Sequence, residues 1–186
     1  MQKNTAACAE LTADIVLNTG LDQTKFAVND DGTLTYNGSQ DISFDQWTPI
    51  GNDYNYRYTG TFDGKGHTIS GLYINSNARY AGLFGCIGSG GTVKNLTLAD
   101  SYISGGTYVG GICGRNYRGS IENCDNSGNV TGSGYSYVGG ICGYNAKGSI
   151  MNNSNSGPVT VTGSDYSYVG GICGVNSDSI TNCSNS

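Results

Sequence analysis

The 186 residues include 31 glycines, 2 prolines, 14 tyrosines and 7 cysteines, only 12% are charged, and the net charge is −5. Glycine at roughly one residue in six, without the every-third spacing of collagen, also argues against a helical bundle, because each interior glycine costs about 1 kcal/mol relative to alanine. The acidic balance leaves no cationic footprint for nucleic acid, and no run of 18 apolar residues exists to cross a membrane.

The sequence therefore points to short strands and tight turns. From the amino terminus, Met1-Gln2-Lys3-Asn4-Thr5 lacks the hydrophobic stretch of a signal peptide. Leu11–Leu17 reads as a strand. A polar segment from Asn18 to Gln46 follows, with a hairpin-like turn at Asn29-Asp30-Asp31-Gly32. Residues 1–60, including the lone tryptophan Trp47, are expected to form an irregular cap that seals the bottom of the array in 61–186.

From residue 82 onward the chain repeats. Gly82-Leu83-Phe84-Gly85 recurs as Gly111-Ile112-Cys113-Gly114, Gly140-Ile141-Cys142-Gly143 and Gly171-Ile172-Cys173-Gly174, at intervals of 29, 29 and 31 residues. A second block follows each, at Val93, Ile121, Ile150 and Ile180, and an earlier copy is expected at Thr68-Ile69-Ser70-Gly71-Leu72. A third block lies at Ile103, Val130 and Val161. Three β-prone pieces per unit and no helical periodicity predict an all-β parallel β-helix of about 29-residue turns. Its interior columns would be Ile69, Val93, Ile121, Ile150 and Ile180, and Leu83, Ile112, Ile141 and Ile172.

Cysteine stands where an apolar residue stands in other units. Cys113, Cys142 and Cys173 replace Phe84, while Cys124, Asn153 and Cys183 replace Leu72 and Leu96. Such thiols either fill the interior as small hydrophobes or pair across the turn, Cys113 with Cys124 and Cys173 with Cys183. The absence of Cys-x-x-Cys, and of a histidine near any cysteine, argues against zinc. Asparagine forms two further registers, Asn95, Asn123, Asn152 and Asn182, and Asn116, Asn145 and Asn176. Stacked amides there would donate to the carbonyls of the next turn, although the second register could instead line a ligand groove.

Candidates for chemistry are few. The only histidine, His67, reads as part of a turn. Asp41, Asp45, Asp53 and Asp63 cluster before the repeats as solvated turn residues, and Glu122, Asp125, Asp165 and Asp178 fall in different registers, so no paired-carboxylate site is evident. No cofactor is implied, and calcium has no Asp-x-Asp-x-Asp-Gly spacing to support it. The tyrosines are more suggestive: Tyr108, Tyr137 and Tyr168 share a register, and Tyr135 and Tyr166 a shorter one. At a strand spacing near 4.8 Å their rings could stack into a stripe that holds a glycan or a protein strand, or that simply stiffens the coil.

The unit Val138-Gly139-Gly140-Ile141-Cys142-Gly143-Tyr144-Asn145, with Gly148-Ser149-Ile150 and Asn152, resembles the GLUG repeat of large bacterial surface proteins, among them adhesins and immunoglobulin-cleaving metallopeptidases. The stretch Trp47-Thr48-Pro49-Ile50-Gly51 and Gly60–Ile69 is similar to the segment that precedes such repeats. Gly111, Gly140 and Gly171 match the motif's inner glycine, and Asn116, Asn145 and Asn176 its asparagine. The resemblance implies a right-handed β-helix in an extracellular or wall-attached protein. The expected role is a non-catalytic structural or adhesive module, secreted or on the cell surface, whose partner is a host or bacterial surface glycan or protein. The alternatives are a carbohydrate-cleaving β-helix enzyme and an accessory domain of a secreted metallopeptidase. No His-Glu-x-x-His is present, so a peptidase centre would lie elsewhere. The expectation is that the chain is one part of a longer parent, because it stops at Ser186 in mid-turn.

Overall fold

A computed structural model describes residues 5–29, 33–163 and 166–186. Among these there is no α-helix, and parallel strands stack into a β-solenoid of about four turns with about 29 residues per turn. Each full turn contributes four strands rather than the expected three. Tyr102–Gly105, Tyr108–Gly110, Cys113–Tyr117 and Ser120–Asn126 make one turn, and each pairs in parallel with its counterpart in the next. The extra strand arises at the paired glycines Gly110-Gly111, where the run from Tyr108 to Asn116 bends and divides between two sheets.

Equivalent side chains meet their own kind. Val93, Ile121, Ile150 and Ile180 align directly, and the first three are wholly buried. The second column also stands: Ile112 N–H donates to Ile141 O at 3.1 Å and Ile141 N–H to Ile172 O at 3.0 Å. Full burial of such a side chain contributes about 1.5–3 kcal/mol. Three register expectations fail. Phe62, not Ile69, lies beneath Val93, while Ile69 pairs with Leu98, because Gly64–His67 forms a longer turn inside the early strand pair than the two residues that separate Lys94 from Thr97. Leu72 consequently leaves the Leu96 column and sits at Ser101, whose hydroxyl accepts its N–H at 3.2 Å. Val159 rather than Val161 covers Val130. The chain returns with the same spacing from Asn155 as from Asn126, and the extra length of that turn falls after the strand, so matching the Val-Thr-Gly triplet comes two residues late.

All seven cysteines are free thiols, and neither expected cross-turn pair is bonded. Cys113, Cys142 and Cys173 stack beneath one another above Phe84. Cys124 and Cys183 lie in a different column, separated by Asn153. Asn153 is buried in a slot otherwise filled by sulfur or leucine. Its carbonyl oxygen accepts the Cys124 N–H at 2.8 Å and its amide donates to Ile121 O at 3.0 Å, so no polar atom is stranded.

The two asparagine registers differ in kind. Asn95, Asn123, Asn152 and Asn182 all adopt left-handed backbone angles (φ 51° to 55°), which asparagine tolerates better than most residues. Their amides bond to one another on the surface, Asn123 to Asn95 at 3.1 Å and Asn152 to Asn123 at 3.2 Å, and not to carbonyls as expected. The ladder ends on Asp63, which accepts from Asn95 at 2.9 Å. In the second register Asn116 donates to Asn145 at 3.0 Å and Asn145 to Asn176 at 2.8 Å. The first two are fully buried, so this register does not line a ligand groove. A third column links Asn126, Asn155 and Asn185 at 2.8 Å, and its first two members are buried as well.

The amino-terminal segment is more divided than a bottom cap. Ala9–Glu10 and Ile15–Val16 pair with Thr61–Asp63 and Thr68–Ser70, and the bridges Gln46–Tyr73, Ile50–Phe84 and Tyr58–Ile87 supply the rest of an irregular first turn. Of the expected strand Leu11–Leu17 only Ile15–Val16 forms, and a bend separates it from the preceding short strand Ala9–Glu10. The hairpin Phe26–Val28 with Leu34–Tyr36 forms, although the tip of its turn, 30–32, lies outside the described residues. It clasps the flank: Phe26 stacks on Tyr102 at 4.2 Å, and the Gln23 amide reaches Ser127 O at 2.6 Å.

A tyrosine and arginine face as the candidate functional site

The site is built on two neighbouring sheets. Tyr80–Ala81, Tyr108–Gly110, Tyr137–Gly139 and Tyr168–Gly170 form one, and Phe84–Ile87, Cys113–Tyr117, Cys142–Ala146 and Cys173–Asn176 the other. Strand alternation turns Val109 and Val138 fully inward and leaves Tyr108 and Tyr137 outward. The parallel register then places each tyrosine over the one a turn before it.

The expected stripe is present and one rung longer than the sequence suggested. Ring centroids are 5.3 Å apart for Tyr80–Tyr108, 5.4 Å for Tyr108–Tyr137 and 5.4 Å for Tyr137–Tyr168, with interplanar angles of 10°, 15° and 20°. Tyr80 escaped notice because it is followed by Ala81-Gly82 where the later turns have Val-Gly-Gly. Tyr135 and Tyr166 stack at 5.8 Å in the loops just before this sheet, both strongly exposed. Tyr144, in register with Arg115, lies 5.9 Å from both Tyr108 and Tyr137 and widens the aromatic surface. At the foot of the ladder a cleft of about 470 Å³ is lined by Gln46, Trp47, Asn52, Asn75 and Tyr80.

Arginine joins the tyrosines on this face. Arg57, Arg79, Arg115 and Arg118 each lie over a tyrosine ring of this face, at 4.3 Å for Arg57 over Tyr54 and 5.5 Å for Arg115 over Tyr144. Arg57 and Arg115 are two 29-residue periods apart, in the column that also holds Cys86 and Tyr144, whereas Arg79 follows no such spacing and is brought in by the coiling of the chain.

The remaining reactive groups have local duties. His67 Nδ1 is 3.2 Å from Asp14, whose same oxygen accepts the Thr68 N–H at 2.9 Å, so the pair ties the early turn to the amino-terminal strand. Asp63 takes the Asn95 amide and the Lys65 N–H, with Lys65 and Lys94 beside it, and its carboxyl is held down at about 2. Asp53 accepts the Asn55 N–H at 2.7 Å as the cap of a short 3-10 turn. Asp165 lies outside the described residues. Burial pushes the thiols of Cys86 and Cys124 up to about 11 and about 12, and raises that of Cys142 strongly, which keeps them protonated and unreactive. Among the described residues no group of three or more His, Cys, Asp or Glu side chains is placed to hold a metal.

Comparison with known proteins fits this architecture. The GLUG motif model matches residues 105–131 and 165–186. Halomucin from Haloquadratum walsbyi is 44% identical over 86 residues, 46% of this chain and 1% of that protein. A protein named as a candidate Gly-rich membrane protein, from Evansella cellulosilytica, is 43% identical over 81 residues, 41% of this chain and 9% of that one. The chain thus corresponds to a small part of these relatives. A solved structure described as a candidate immunoglobulin A1 protease from Bacteroides ovatus superposes with a TM-score of 0.60 at 20% identity, covering 97% of this chain and 57% of that chain, which speaks to the fold alone. Two stretches of the array, 105–131 and 165–186, thus carry the GLUG motif within a β-solenoid.

Proposed function

We propose that this chain is a non-catalytic structural and adhesive module of a secreted or cell-surface protein, and that its tyrosine ladder is the surface that meets a glycan or protein. The observation that carries the reading is the four-rung ladder itself. Aromatic rings held 5.3 to 5.4 Å apart by a hydrogen-bonded solenoid form a pre-ordered surface, which lowers the entropic cost of binding. The relatives named halomucin and Gly-rich membrane protein support a place at the cell surface. No cofactor is needed for this role.

An accessory module of a larger secreted peptidase is the second reading, favoured by the shared fold with the Bacteroides ovatus protein. A glycan array probed with the purified chain, beside a reducing-sugar release assay, tests the first. Binding without sugar release, lost in Tyr137→Ala while the fold is retained, is the expected result. Release of reducing sugar would make the chain an enzyme, and an empty array would remove the glycan from the proposal.

A further inference from the structure

Apart from Lys147, the lysines and arginines among the described residues fall into two sets. Lys25, Lys65 and Lys94 pair with carboxylates, at Asp22, at Glu10 with Asp63, and at Asp63. The four arginines form no ion pair and no side-chain hydrogen bond among the described residues, and all four lie against tyrosines. Arg57 and Arg115 share the same two rings, at 4.3 and 5.0 Å from Tyr54 and at 5.1 and 5.5 Å from Tyr117. Two like charges are thus held together, with Arg57 Nη1 and Arg115 Nε buried and lacking a hydrogen-bond partner. Arg79 extends the set to Tyr80 and Tyr108, at 5.5 and 5.8 Å. The eight strands that form this face contain no Asp or Glu, and the one acidic group that shares the surroundings of Cys86 with Arg57 and Arg115 is Asp53, the cap of the turn that carries Tyr54, so the arginines outnumber it. Aromatic faces ease the concentration of positive charge but do not neutralise it.

We propose that this face binds a uronate-bearing polysaccharide, its carboxylates on Arg57, Arg115 and Arg79 and its sugar rings along the tyrosine ladder. The inference rests on the ladder being a glycan surface and specifies which glycan. Three observations select this occupant. Charge complementarity requires an anion. A guanidinium lying over rings offers a ligand its in-plane N–H edge, which takes up both oxygens of a planar carboxylate through two parallel hydrogen bonds, whereas a tetrahedral sulfate places only two of its oxygens in that plane. The rungs repeat every 5.3 to 5.4 Å, while same-side residues of an extended acidic peptide repeat every ~6.7 Å and fall out of step within a few rungs.

The test is calorimetric titration of the intact chain with oligogalacturonate, its neutral methyl ester, dextran sulfate and polyglutamate. Oligogalacturonate is expected to bind most tightly, and to weaken by about tenfold or more when salt rises from about 0.05 to about 0.5 M, because exposed charges are then screened. Arg115→Gln should lower that affinity roughly tenfold and leave the neutral ester unchanged, with Arg115→Lys intermediate because it keeps the charge and loses the fork. Arg115 is half-buried, so exposed Arg79→Gln serves as a second variant, each checked for an unchanged melting temperature. Tighter binding of dextran sulfate or polyglutamate would overturn the proposal. If the acidic and neutral sugars bind equally and neither arginine variant matters, the ladder stands as a glycan surface and the uronate assignment falls. If no sugar binds, both fall.

Discussion

Two asparagine columns climb the same solenoid with the same period and the same amide-to-amide bond, yet one lies in solvent and the other in the core. Asn95, Asn123, Asn152 and Asn182 occupy surface bends in the left-handed region. Asn116 and Asn145 are buried, and each also ties down a tight turn, through Gly119 O at 3.1 Å and Gly148 O at 2.7 Å. The outer column is chosen for backbone angle, and the inner one for polar groups that have no water to turn to. A shared residue type and spacing in a repeat protein therefore fix alignment between turns without fixing which side of the wall a column occupies.

That contrast can be broken most severely where the interior glycines meet the third column. A β-carbon on Gly140 would overlap both the Asn155 amide and the Gly171 carbonyl, and backbone cannot step aside. Gly140→Ala should cost about 3 kcal/mol or more, seen as a large fall in the denaturation midpoint or as failure to fold. Asn145→Ala comes next. It takes the side-chain partner from Gly148 O in the core, at about 1–3 kcal/mol, while the Asn116 amide keeps Gly119 O and Ser149 O, and at this chain length each kcal/mol lowers the melting temperature by about 2–4 °C.

The outer column should respond differently. Asn123→Ala loses an exposed amide bond and places alanine in the left-handed region, for roughly 1–2 kcal/mol, whereas Asn123→Gly should recover most of that loss because glycine suits the angle. If both variants melt alike, the backbone explanation is wrong. The smallest effect is expected from acid. The Asp63 carboxyl that ends the outer ladder sits at about 2 in the folded chain, below the ordinary aspartate value near 3.9. A depressed folded value means a stabilising contribution present above about pH 4 and lost as pH falls toward 2, and Asp63→Asn should flatten this part of the stability curve, lowering stability above about pH 4 and leaving it little changed near pH 2.

Thiol state offers a separate check on the interior. The exposed Cys8 should react first with a thiol reagent in the native chain, the stacked Cys113 and Cys142 should resist, and denaturation should release all seven. A count of three after denaturation would mean that two disulfides had formed.

Most of the array was legible because the sequence repeats its own corners. The columns through Ile121 and Cys142 needed only the period, and so did the Tyr108, Tyr137 and Tyr168 stack. Legibility ended where length varied. The Gly64–His67 turn shifted Ile69 into the Leu98 column, and the longer turn after Val161 shifted the third block by two residues. The Asn126, Asn155 and Asn185 column could have been found, since Asn-Ser-Gly recurs at 126–128 and 155–157. The pairing of Arg57 with Arg115 could have been found too, since the two lie two periods apart in one column. The hairpin clasp and the approach of Arg79 could not, because those contacts join positions that share no register, about which a repeat argument carries no information.

The most direct test of the stacking is a methyl NOE spectrum of the isotopically labelled chain. Cross-peaks should link the Ile121 methyls to those of Ile150, and Ile150 to Ile180, as the paired register of Ile121, Ile150 and Ile180 requires. A spectrum in which these methyls contact other residues but never one another would contradict the solenoid, and with it the ladder of tyrosines on its wall.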